Sequence, residues 1–181
     1  MLLKIAELSD IDETLKLHYK YQIDSIAEED KKNGFVTTPF TREEIAKLIT
    51  TEKGLFIAKK GDHVIAYVMA ASWAFWSKWP MFAFMIEDLT NIKYQGRTLN
   101  TKNSYQYGPI CIDNSARGTG ILEEIFEFSK KEMSKRFSVL VTFVNKSNGR
   151  SIEAHTRKLN LDVIQEFEFN NNHYFEMACL T

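Results

Sequence analysis

The amino-acid sequence predicts one mixed α/β domain in which helices cover a central sheet. Apolar residues recur with period two in several short runs and with helical spacing in others, and both kinds of run are interleaved along the chain. Strands separated by a helix are expected to be parallel neighbours, and strands joined by a short turn antiparallel ones. With 181 residues and 44% apolar content, the chain is long enough to bury a core and is assigned to one domain, residues 1–181.

Composition excludes several classes of function. The 23 basic and 24 acidic residues leave no electrostatic footprint for nucleic acid or an anionic membrane. No basic leader and no apolar run of about 18 residues is present, so the cytoplasm is the expected location. Cys111 and Cys179 lack CxxC spacing and are interpreted as buried thiols rather than as a metal site or a disulfide. His18, His63 and His173 lie in unrelated predicted elements, so no metal is expected.

The N-terminal pattern predicts a strand followed by a long helix. Residues 3–8 carry the apolar positions of the strand, and Ser9–Glu13 provides an N-cap sequence. The helical spacing continues through Ile23 and Ile26 before the polar loop at 28–34. One helix is therefore expected to extend from the cap to about residue 26.

A second helix and a hairpin are predicted next. Thr41–Glu44 reads as a capping box that begins the helix, and Gly54 ends it. Residues 55–59 and 64–72 have strand composition and are joined by Lys60-Gly61-Asp62, which suits a tight turn. Both strands are expected to lie in the core.

The region from Trp73 to Ser104 is an insertion whose pattern is weaker. Phe82–Leu89 is compatible with a strand or a helix, and Gln95-Gly96 predicts a turn. Its first dozen residues are rich in aromatic side chains: Trp73, Phe75, Trp76, Trp79, Phe82 and Phe84. Two interpretations stay open: extra core or a homodimer surface, and an aromatic wall for an acceptor pocket bounded by Trp73, Trp76 and Tyr107.

The stretch from Tyr107 to Met133 predicts a strand, a sharp turn and an amphipathic helix. Ile110 and Ile112 alternate as in a strand, whereas the apolar positions after residue 120 recur at helical spacing. The change falls on Arg117-Gly118-Thr119-Gly120. Glycines allow a close bend at a helix N-terminus, where unpaired N–H groups and the macrodipole favour an anion such as a pyrophosphate.

The C-terminal third predicts a strand, a helix and a final hairpin. Residues 138–144 form a β-branched run typical of a buried strand, and a shorter helix covers about 150–159. The last two strands, 163–169 and 173–179, flank Asn170-Asn171-Asn172, whose residues tolerate positive φ.

The 117–122 turn fails the common nucleotide signatures but resembles one family. GxxxxGK[ST] and GxGxxG are both absent. The run Arg117-Gly118-Thr119-Gly120-Ile121-Leu122 is similar to the Arg/Gln-x-x-Gly-x-Gly/Ala turn of the GNAT superfamily of acyl-coenzyme A dependent N-acetyltransferases, although Leu122 stands where Gly or Ala is usual. Asn148, Ser151 and His155 match a second pattern of the same family downstream.

This resemblance implies a fold and a ligand layout. The fold is a mostly antiparallel sheet of six to seven strands with about four helices, splayed between the fourth and fifth strands, where Pro109 suits an edge or a bulge. The implied cofactor is acetyl-CoA as co-substrate. Its pantetheine would lie along Ile110, Cys111 and Ile112, and Asn148 and Ser151 would add polar contacts. Its pyrophosphate would lie on the amides of Gly118, Thr119, Gly120, Ile121 and Leu122, beside Arg117.

The resemblance further implies acetyl transfer to a primary amine by direct attack in a ternary complex. His155 is the candidate general acid, at a position where many family members carry tyrosine. Glu87, beside Asp88, is the candidate base, although exposed carboxylates near a turn are usually only solvated. The expected acceptor is a small-molecule amine. Acetylation of a protein amine and a non-catalytic acyl-CoA-binding module are the alternatives.

Overall fold

Seven strands form one mixed sheet in the computed structural model, which describes the backbone of residues 1–181 and every side chain except those of Lys32 and Asn33. The strand order is β1-β2-β3-β6-β7-β9-β8. The β6–β7 pair is parallel, whereas β1–β2, β2–β3, β7–β9 and β8–β9 are antiparallel. The mixed, mostly antiparallel sheet predicted from the sequence is therefore confirmed.

The elements in chain order are β1 (Leu2–Ile5), α1 (Ile11–Lys20), α2 (Arg42–Lys47), β2 (Leu55–Lys60), β3 (His63–Ala71), α3 (Trp73–Trp76), α4 (Pro80–Asp88), β4 (Lys93–Tyr94), β5 (Arg97–Thr98), β6 (Ser104–Ile112), α5 (Ile121–Met133), β7 (Val139–Asn145), α6 (Gly149–Glu153), β8 (Asp162–Phe169) and β9 (Asn172–Leu180). A single π-helical turn follows α2 at Leu48–Glu52, and another follows α6 at Ala154–Lys158. Over the described backbone, no helix is both long and apolar enough to cross a membrane.

The chain divides into two compact units, each built from two segments. The first unit comprises Met1–Ala70 and Gly108–Ser129, and the second comprises Ala71–Tyr107 and Lys130–Thr181. Strand β6 contributes its first half to the second unit and its last half to the first. The single domain assigned from the length of the chain stays a prediction.

In the first unit, β1, β2 and β3 form an antiparallel meander, and α2 precedes β2 in the chain. The predicted capping box is present: Thr41 Oγ1 accepts from the amide of Glu44, whose carboxylate accepts from the amide of Thr41. Ile45 and Leu48 are fully buried, as their helical spacing predicts. Gly54 then turns the chain into β2, and its carbonyl accepts from the amide of Ala70 at 2.8 Å.

The first helix is shorter than its apolar spacing predicts. It ends at Lys20, and the prediction of a helix to about residue 26 was wrong. The backbone of Ile23 donates to Val36 O, and Val36 donates to Tyr21 O, so these groups bond across the loop instead of along a helix. The expected cap is also different: Asp10 accepts from the amide of Glu7 and caps a short 3₁₀ turn ahead of α1.

In the second unit, β7, β9 and β8 form an antiparallel ladder covered by the insertion, residues 73–104. The stretch Phe82–Leu89, for which strand and helix were both possible, lies mostly in the helix α4. Pro80 lies in the first turn of α4, where the missing N–H of proline leaves no hydrogen bond unmade. Phe82 of α4 packs on Phe143 of β7 with ring centroids 5.7 Å apart. The predicted turn at Gln95-Gly96 joins the short strands β4 and β5. The insertion therefore adds core to this unit.

A methyl group at Gly54 should strongly destabilise the first unit. Its ideal Cβ would lie 1.9 Å from the carbonyl oxygen of Ala70 and 3.0 Å from Leu48 Cδ1, so the β3 backbone would have to move. We expect Gly54→Ala to lower the free energy of unfolding by about 3 kcal/mol, as for a severe overpacking change. Gly149→Ala is the control, because nothing lies within 4 Å of its ideal Cβ. Equal denaturation midpoints for the two variants would contradict the expectation.

Candidate functional site

The sharp turn predicted after β6 is present and lies at the start of the 13-residue helix α5. A short 3₁₀ turn at Asn114–Ala116 follows the strand. Gly118 and Gly120 then take φ values of 77° and 88°, which side-chain-bearing residues rarely adopt. The two predicted glycines are therefore required by the backbone conformation at this point.

Asp113 anchors the start of this turn. Its amide donates to Ile65 O of β3, and its Oδ1 accepts from the amide and the hydroxyl of Ser115. Its Oδ2 accepts from Lys20 Nζ at 2.6 Å and from Tyr21 Oη at 3.3 Å. Burial would raise the pKa of this carboxyl, but the hydrogen bonds from Lys20 and Ser115 outweigh it and hold the pKa well below its usual value. Asp113 is thus a permanent carboxylate at neutral pH.

The rest of the turn is held by side-chain contacts to carbonyl oxygens. Arg117 Nε donates to Ile112 O at 3.1 Å, and its guanidinium lies 5.2 Å from the ring centroid of Tyr21. Thr119 Oγ1 donates to Ala116 O at 2.6 Å. Because these contacts use side-chain donors, the turn keeps its shape without consuming the amides at the start of α5.

The geometry of the turn fits a pyrophosphate. Gly118, Thr119 and Gly120 are exposed, and nothing lies within 4 Å of an ideal Cβ on Gly118. The first amides of α5 have no intrahelical acceptor and lie at the positive end of its macrodipole. Ile121 points into the core with 1% of its surface exposed, whereas Leu122 is half-buried. No atom of Leu122 lies within 4 Å of an ideal Cβ on Gly118 or Gly120.

The strand residues predicted to lie along the cofactor differ in burial. Ile110 and Ile112 are half-buried, and Cys111 is buried. Burial raises the pKa of the Cys111 thiol to about 12, against the lowering effect of the Arg117 charge. The thiol is neutral at physiological pH and is unsuited to be a nucleophile. The prediction of a buried thiol is confirmed for Cys111, whereas Cys179 is only half-buried.

His18, one of three histidines expected to be structural or exposed, is part of the core of the first unit. Its Nε2 lies 2.8 Å from Thr38 O, a group that can only accept, so Nε2 carries the proton. Its Nδ1 then accepts from Tyr67 Oη at 2.6 Å. Burial lowers the pKa of His18, which keeps the ring neutral. His63 and His173 are exposed.

In the second unit, the downstream residues of the predicted site form one local cluster. Asn148 Oδ1 accepts from the amide of Ser151 at 3.0 Å and caps α6. His155 Nδ1 lies 2.8 Å from Ser151 O and 3.3 Å from its Oγ. The ring of His155 meets that of Tyr107 edge-on, with centroids 6.2 Å apart. The structure therefore brings Asn148, Ser151, His155 and Tyr107 together.

The hydrogen bond to the Ser151 carbonyl determines which ring nitrogen of the neutral His155 carries the proton. The carbonyl of Ser151 only accepts, so Nδ1 of the neutral ring carries its proton and Nε2 has the free lone pair. Only the imidazolium could donate from Nε2. Burial lowers the pKa of His155, the hydrogen bond to Ser151 acting in the opposite direction. The form required of a general acid therefore becomes more populated as the pH falls.

Tyr107 marks the end of the β6–β7 ladder within the second unit. The parallel register extends from Ser104 opposite Val139 to Gln106 opposite Val141. At the next position, the Thr142 hydroxyl donates to Tyr107 O at 2.7 Å, so a side chain takes the place of a strand amide. Burial raises the pKa of Tyr107 well above its usual value, and the phenol stays protonated.

The remaining predicted residues lie in the insertion. Trp73 and Trp76 are fully buried, and Trp73 Nε1 donates to Ser104 Oγ at 3.0 Å, which identifies both rings as core of the second unit. Glu87 is exposed, whereas the neighbouring Asp88 is half-buried and accepts from Gln165 Nε2 at 2.8 Å. Among the described side chains, no group of three or more His, Cys, Asp or Glu could hold a metal ion.

Two residues of interest were missed at the sequence level. Asp113-Asn114-Ser115 directly after a strand is a recognisable side-chain-capped turn and could have identified Asp113. Glu176 is 1% exposed, and the signal was a carboxylate between apolar neighbours in a strand. Burial raises the pKa of Glu176 to about 7; the hydrogen bond from Gln165 opposes the rise, and the Asp88 charge adds to it.

Comparisons with known proteins bear on the fold of the chain. No family model matches the chain, and no curated protein matches it by sequence. Solved structures match over nearly the whole chain. An N-acetyltransferase from Staphylococcus aureus Mu50 superposes with a TM-score of 0.61 at 17% identity, covering 99% of this chain and 97% of that chain.

Two further acetyltransferases match equally well. A GNAT superfamily phosphinothricin acetyltransferase from Sinorhizobium meliloti, in complex with AcCoA, has a TM-score of 0.66 at 15% identity, covering 99% of this chain and 87% of its own. The ribosomal-protein-S18-alanine N-acetyltransferase from Escherichia coli has a TM-score of 0.62 at 12% identity, covering 99% and 92%. The chain therefore has the GNAT acyl-CoA N-acyltransferase fold.

Proposed function

We propose that the protein transfers an acetyl group from acetyl-CoA to the primary amine of a small molecule. The observation that carries the proposal is the exposed two-glycine turn at the N-terminus of α5, which follows β6 after one 3₁₀ turn. The resemblance to the GNAT superfamily implies that the pyrophosphate of coenzyme A binds at this turn. Exposed N–H groups at a helix N-terminus are suited to such an anion.

The resemblance implies two kinds of contact with the cofactor. The amides of Gly118–Leu122 and the guanidinium of Arg117 would bind the pyrophosphate, and the backbone at Ile110, Cys111 and Ile112 would bind the pantetheine. Asn148 and Ser151 are the residues expected to supply polar contacts. The bound cofactor supplies an activated thioester as acetyl donor.

The protein groups support direct attack by the amine. Transfer requires a neutral amine, stabilisation of the carbonyl oxygen and a leaving thiolate. A strand amide near Ile110 or Cys111 would polarise the carbonyl. Because the Cys111 thiol stays neutral, an acetyl-cysteine intermediate is disfavoured. His155, as imidazolium, would donate a proton to the leaving thiolate.

Release of free thiol tests the function. The protein is incubated with acetyl-CoA and a library of primary amines, and thiol is detected as a function of time. We expect saturable turnover with at least one amine. Tight cofactor binding with no turnover for any acceptor would instead favour a non-catalytic acyl-CoA-binding module. A peptide amine as the preferred acceptor would contradict the assignment to small molecules.

Gly120→Asp should abolish cofactor binding. It introduces a carboxylate next to the proposed pyrophosphate and forces a side chain into the positive-φ region. Calorimetry with acetyl-CoA should show a loss of affinity of about 100-fold or more. Gly96→Asp is the matched control: Gly96 also has positive φ, nothing lies within 4 Å of its ideal Cβ, and it lies in the β4–β5 turn. Equal affinities for the two variants would place the cofactor elsewhere.

Asp113→Asn should weaken cofactor binding without changing any group that touches the cofactor in the proposal. The amide cannot form the ion pair with Lys20, so the turn before α5 loses an anchor. We expect an affinity for acetyl-CoA lower by about tenfold, equivalent to the loss of one charge-assisted hydrogen bond. Calorimetry measures the affinity, and the thermal midpoint reports on folding. An unchanged affinity would show that Asp113 has no part in shaping the turn.

His155→Gln should lower kcat, and the loss should be larger at about pH 6 than at about pH 8. The reason is that the donating imidazolium becomes more populated as the pH falls, whereas glutamine does not titrate. Initial rates at saturating acetyl-CoA give the comparison. A loss of equal size at both pH values would indicate that His155 only packs and caps. In that case the leaving thiolate would depart without a proton from this ring.

A further inference from the structure

Two buried oxygen atoms on one face of the second unit have no hydrogen-bond partner among the described residues: Oε1 of Glu176 and Oε1 of Gln106. Each of the two side chains is 1% exposed. Gln106 Nε2 donates to Tyr107 O at 2.7 Å, which assigns its Oε1 as the acceptor. A buried polar atom without a partner costs free energy, so each of these oxygens requires a donor that the described residues do not supply.

The two oxygens lie on the same side of the sheet. Gln106 is opposite Val141, and Val141 is opposite Ala178, two residues from Glu176. Because side chains alternate along a strand and opposite residues share a face, Gln106, Val141, Ala178 and Glu176 point the same way. This is the face covered by the insertion, since α4 reaches it through Asp88 and Gln165.

The neighbouring charges favour a cation. Gln165 Nε2 donates both to Glu176 Oε2 at 2.6 Å and to Asp88 Oδ2 at 2.8 Å, so one amide links two carboxyl groups. One row along β8, Asp162 adds a further carboxylate, which accepts from Tyr94 Oη. As a carboxylate, Glu176 lacks a donor to Oε1 among the described residues.

Aromatic rings complete the surroundings. Phe143 is the cross-strand partner of Glu176, and Tyr174 stands on the same face two residues earlier. Phe143 packs against Phe82 and Tyr174 with centroids 5.7 and 5.6 Å away, and Tyr174 stacks on Phe167 at 5.2 Å. Rings beside a carboxylate suit an ammonium group and the methylene chain that carries it.

We propose that this face holds the ammonium group of the acceptor, with Glu176 and Gln106 as its hydrogen-bond acceptors. The ammonium offers three N–H donors to oxygens that lack one, and its charge is matched by Glu176 and Asp88. Since both acceptors are buried, the substrate is a primary amine at the end of a slender alkyl chain. Naming the ligand as the acceptor rests on the proposed acetyl transfer; the cation site itself does not.

Binding of n-butylammonium to the full chain without acetyl-CoA tests the site. An NMR-detected titration at about pH 8 should show saturable binding, with neutral n-butanol binding about tenfold more weakly or not at all. Glu176→Gln should weaken butylammonium binding by about tenfold or more, as expected for one charge-assisted hydrogen bond. Glu168→Gln, an exposed change in the neighbouring strand β8, should not. Equal binding by wild type and Glu176→Gln, or by amine and alcohol, would overturn the proposal.

The pH dependence provides a second measurement. The carboxyl of Glu176 has a pKa of about 7, so most of it is protonated at about pH 5. Butylammonium remains charged throughout, and its affinity for wild type should fall at least about tenfold from about pH 8 to about pH 5. Affinity for Glu176→Gln should stay level. Affinity that is flat for wild type, or that falls equally for both proteins, would contradict a role for this carboxyl.

Thermal unfolding at two pH values shows whether Glu176→Gln folds and whether its stability relative to wild type changes in the expected direction. A carboxyl whose pKa rises from 4.5 to about 7 stabilises the fold at low pH, and this contribution is lost as the pH increases through that interval. The thermal midpoint of Glu176→Gln relative to wild type should therefore increase from about pH 5 to about pH 8. If the variant does not fold, Asp88→Asn replaces it. That change should move the pH midpoint of butylammonium binding downward, because it removes a charge that raises the pKa of Glu176; an unmoved midpoint would overturn the proposal.

Amine binding and acetyl transfer can fail separately. Butylammonium binding that depends on Glu176, with no thiol release from acetyl-CoA, would retain the cation site and refute the transferase. Turnover that is unaffected by Glu176→Gln in both KM and kcat, with amine binding also unaffected, would retain the transferase and refute this acceptor site.

Discussion

The carboxylate of Asp113 is the interaction on which the shape of the proposed cofactor turn depends. It lies where β6 ends, accepts from Lys20 and Tyr21 with one oxygen and from Ser115 with the other, and its own amide bonds to β3. Two distant segments of the first unit are thereby joined at one side chain. With that anchor in place, the glycines need only supply positive φ, and the amides that open α5 remain available for an anion.

Burial has opposite consequences for two ionisable groups of the chain. It raises the pKa of the Cys111 thiol to about 12, which removes the thiolate from physiological pH and leaves an inert apolar side chain. It raises the pKa of Glu176 to about 7, which brings a carboxyl that is normally always ionised into the range where it titrates. Desolvation therefore keeps the Cys111 thiol protonated and unreactive at neutral pH, whereas it makes the Glu176 carboxyl change its charge near neutral pH. Perturbed groups of the second kind cluster at functional sites.

The sequence predicted the sheet, the second helix and the sharp turn well because each depends on local chemistry: period-two spacing, a capping box at Thr41 and glycines at positive φ. It failed where tertiary contacts override local preference. The apolar spacing through Ile26 favoured a longer first helix, but backbone bonds to Val36 end it at Lys20. The sequence alone did not indicate a role for Glu176, because its position depends on tertiary structure. Only the strand register places it beneath α4, next to Gln165 and Asp88.

The insertion is where substrate choice would be decided. A layer of aromatic side chains normally serves to exclude water, and placing it over two unsatisfied acceptors and a carboxyl pair is costly unless something pairs with them. Excluding water also strengthens each electrostatic contact that a bound ammonium would make. A carboxyl that titrates near neutrality holds an ammonium as its carboxylate and can take up the proton that the amine must lose before it attacks. In the proposed site, binding and deprotonation of the acceptor would therefore depend on the same property of one side chain, a carboxyl whose pKa lies near neutrality.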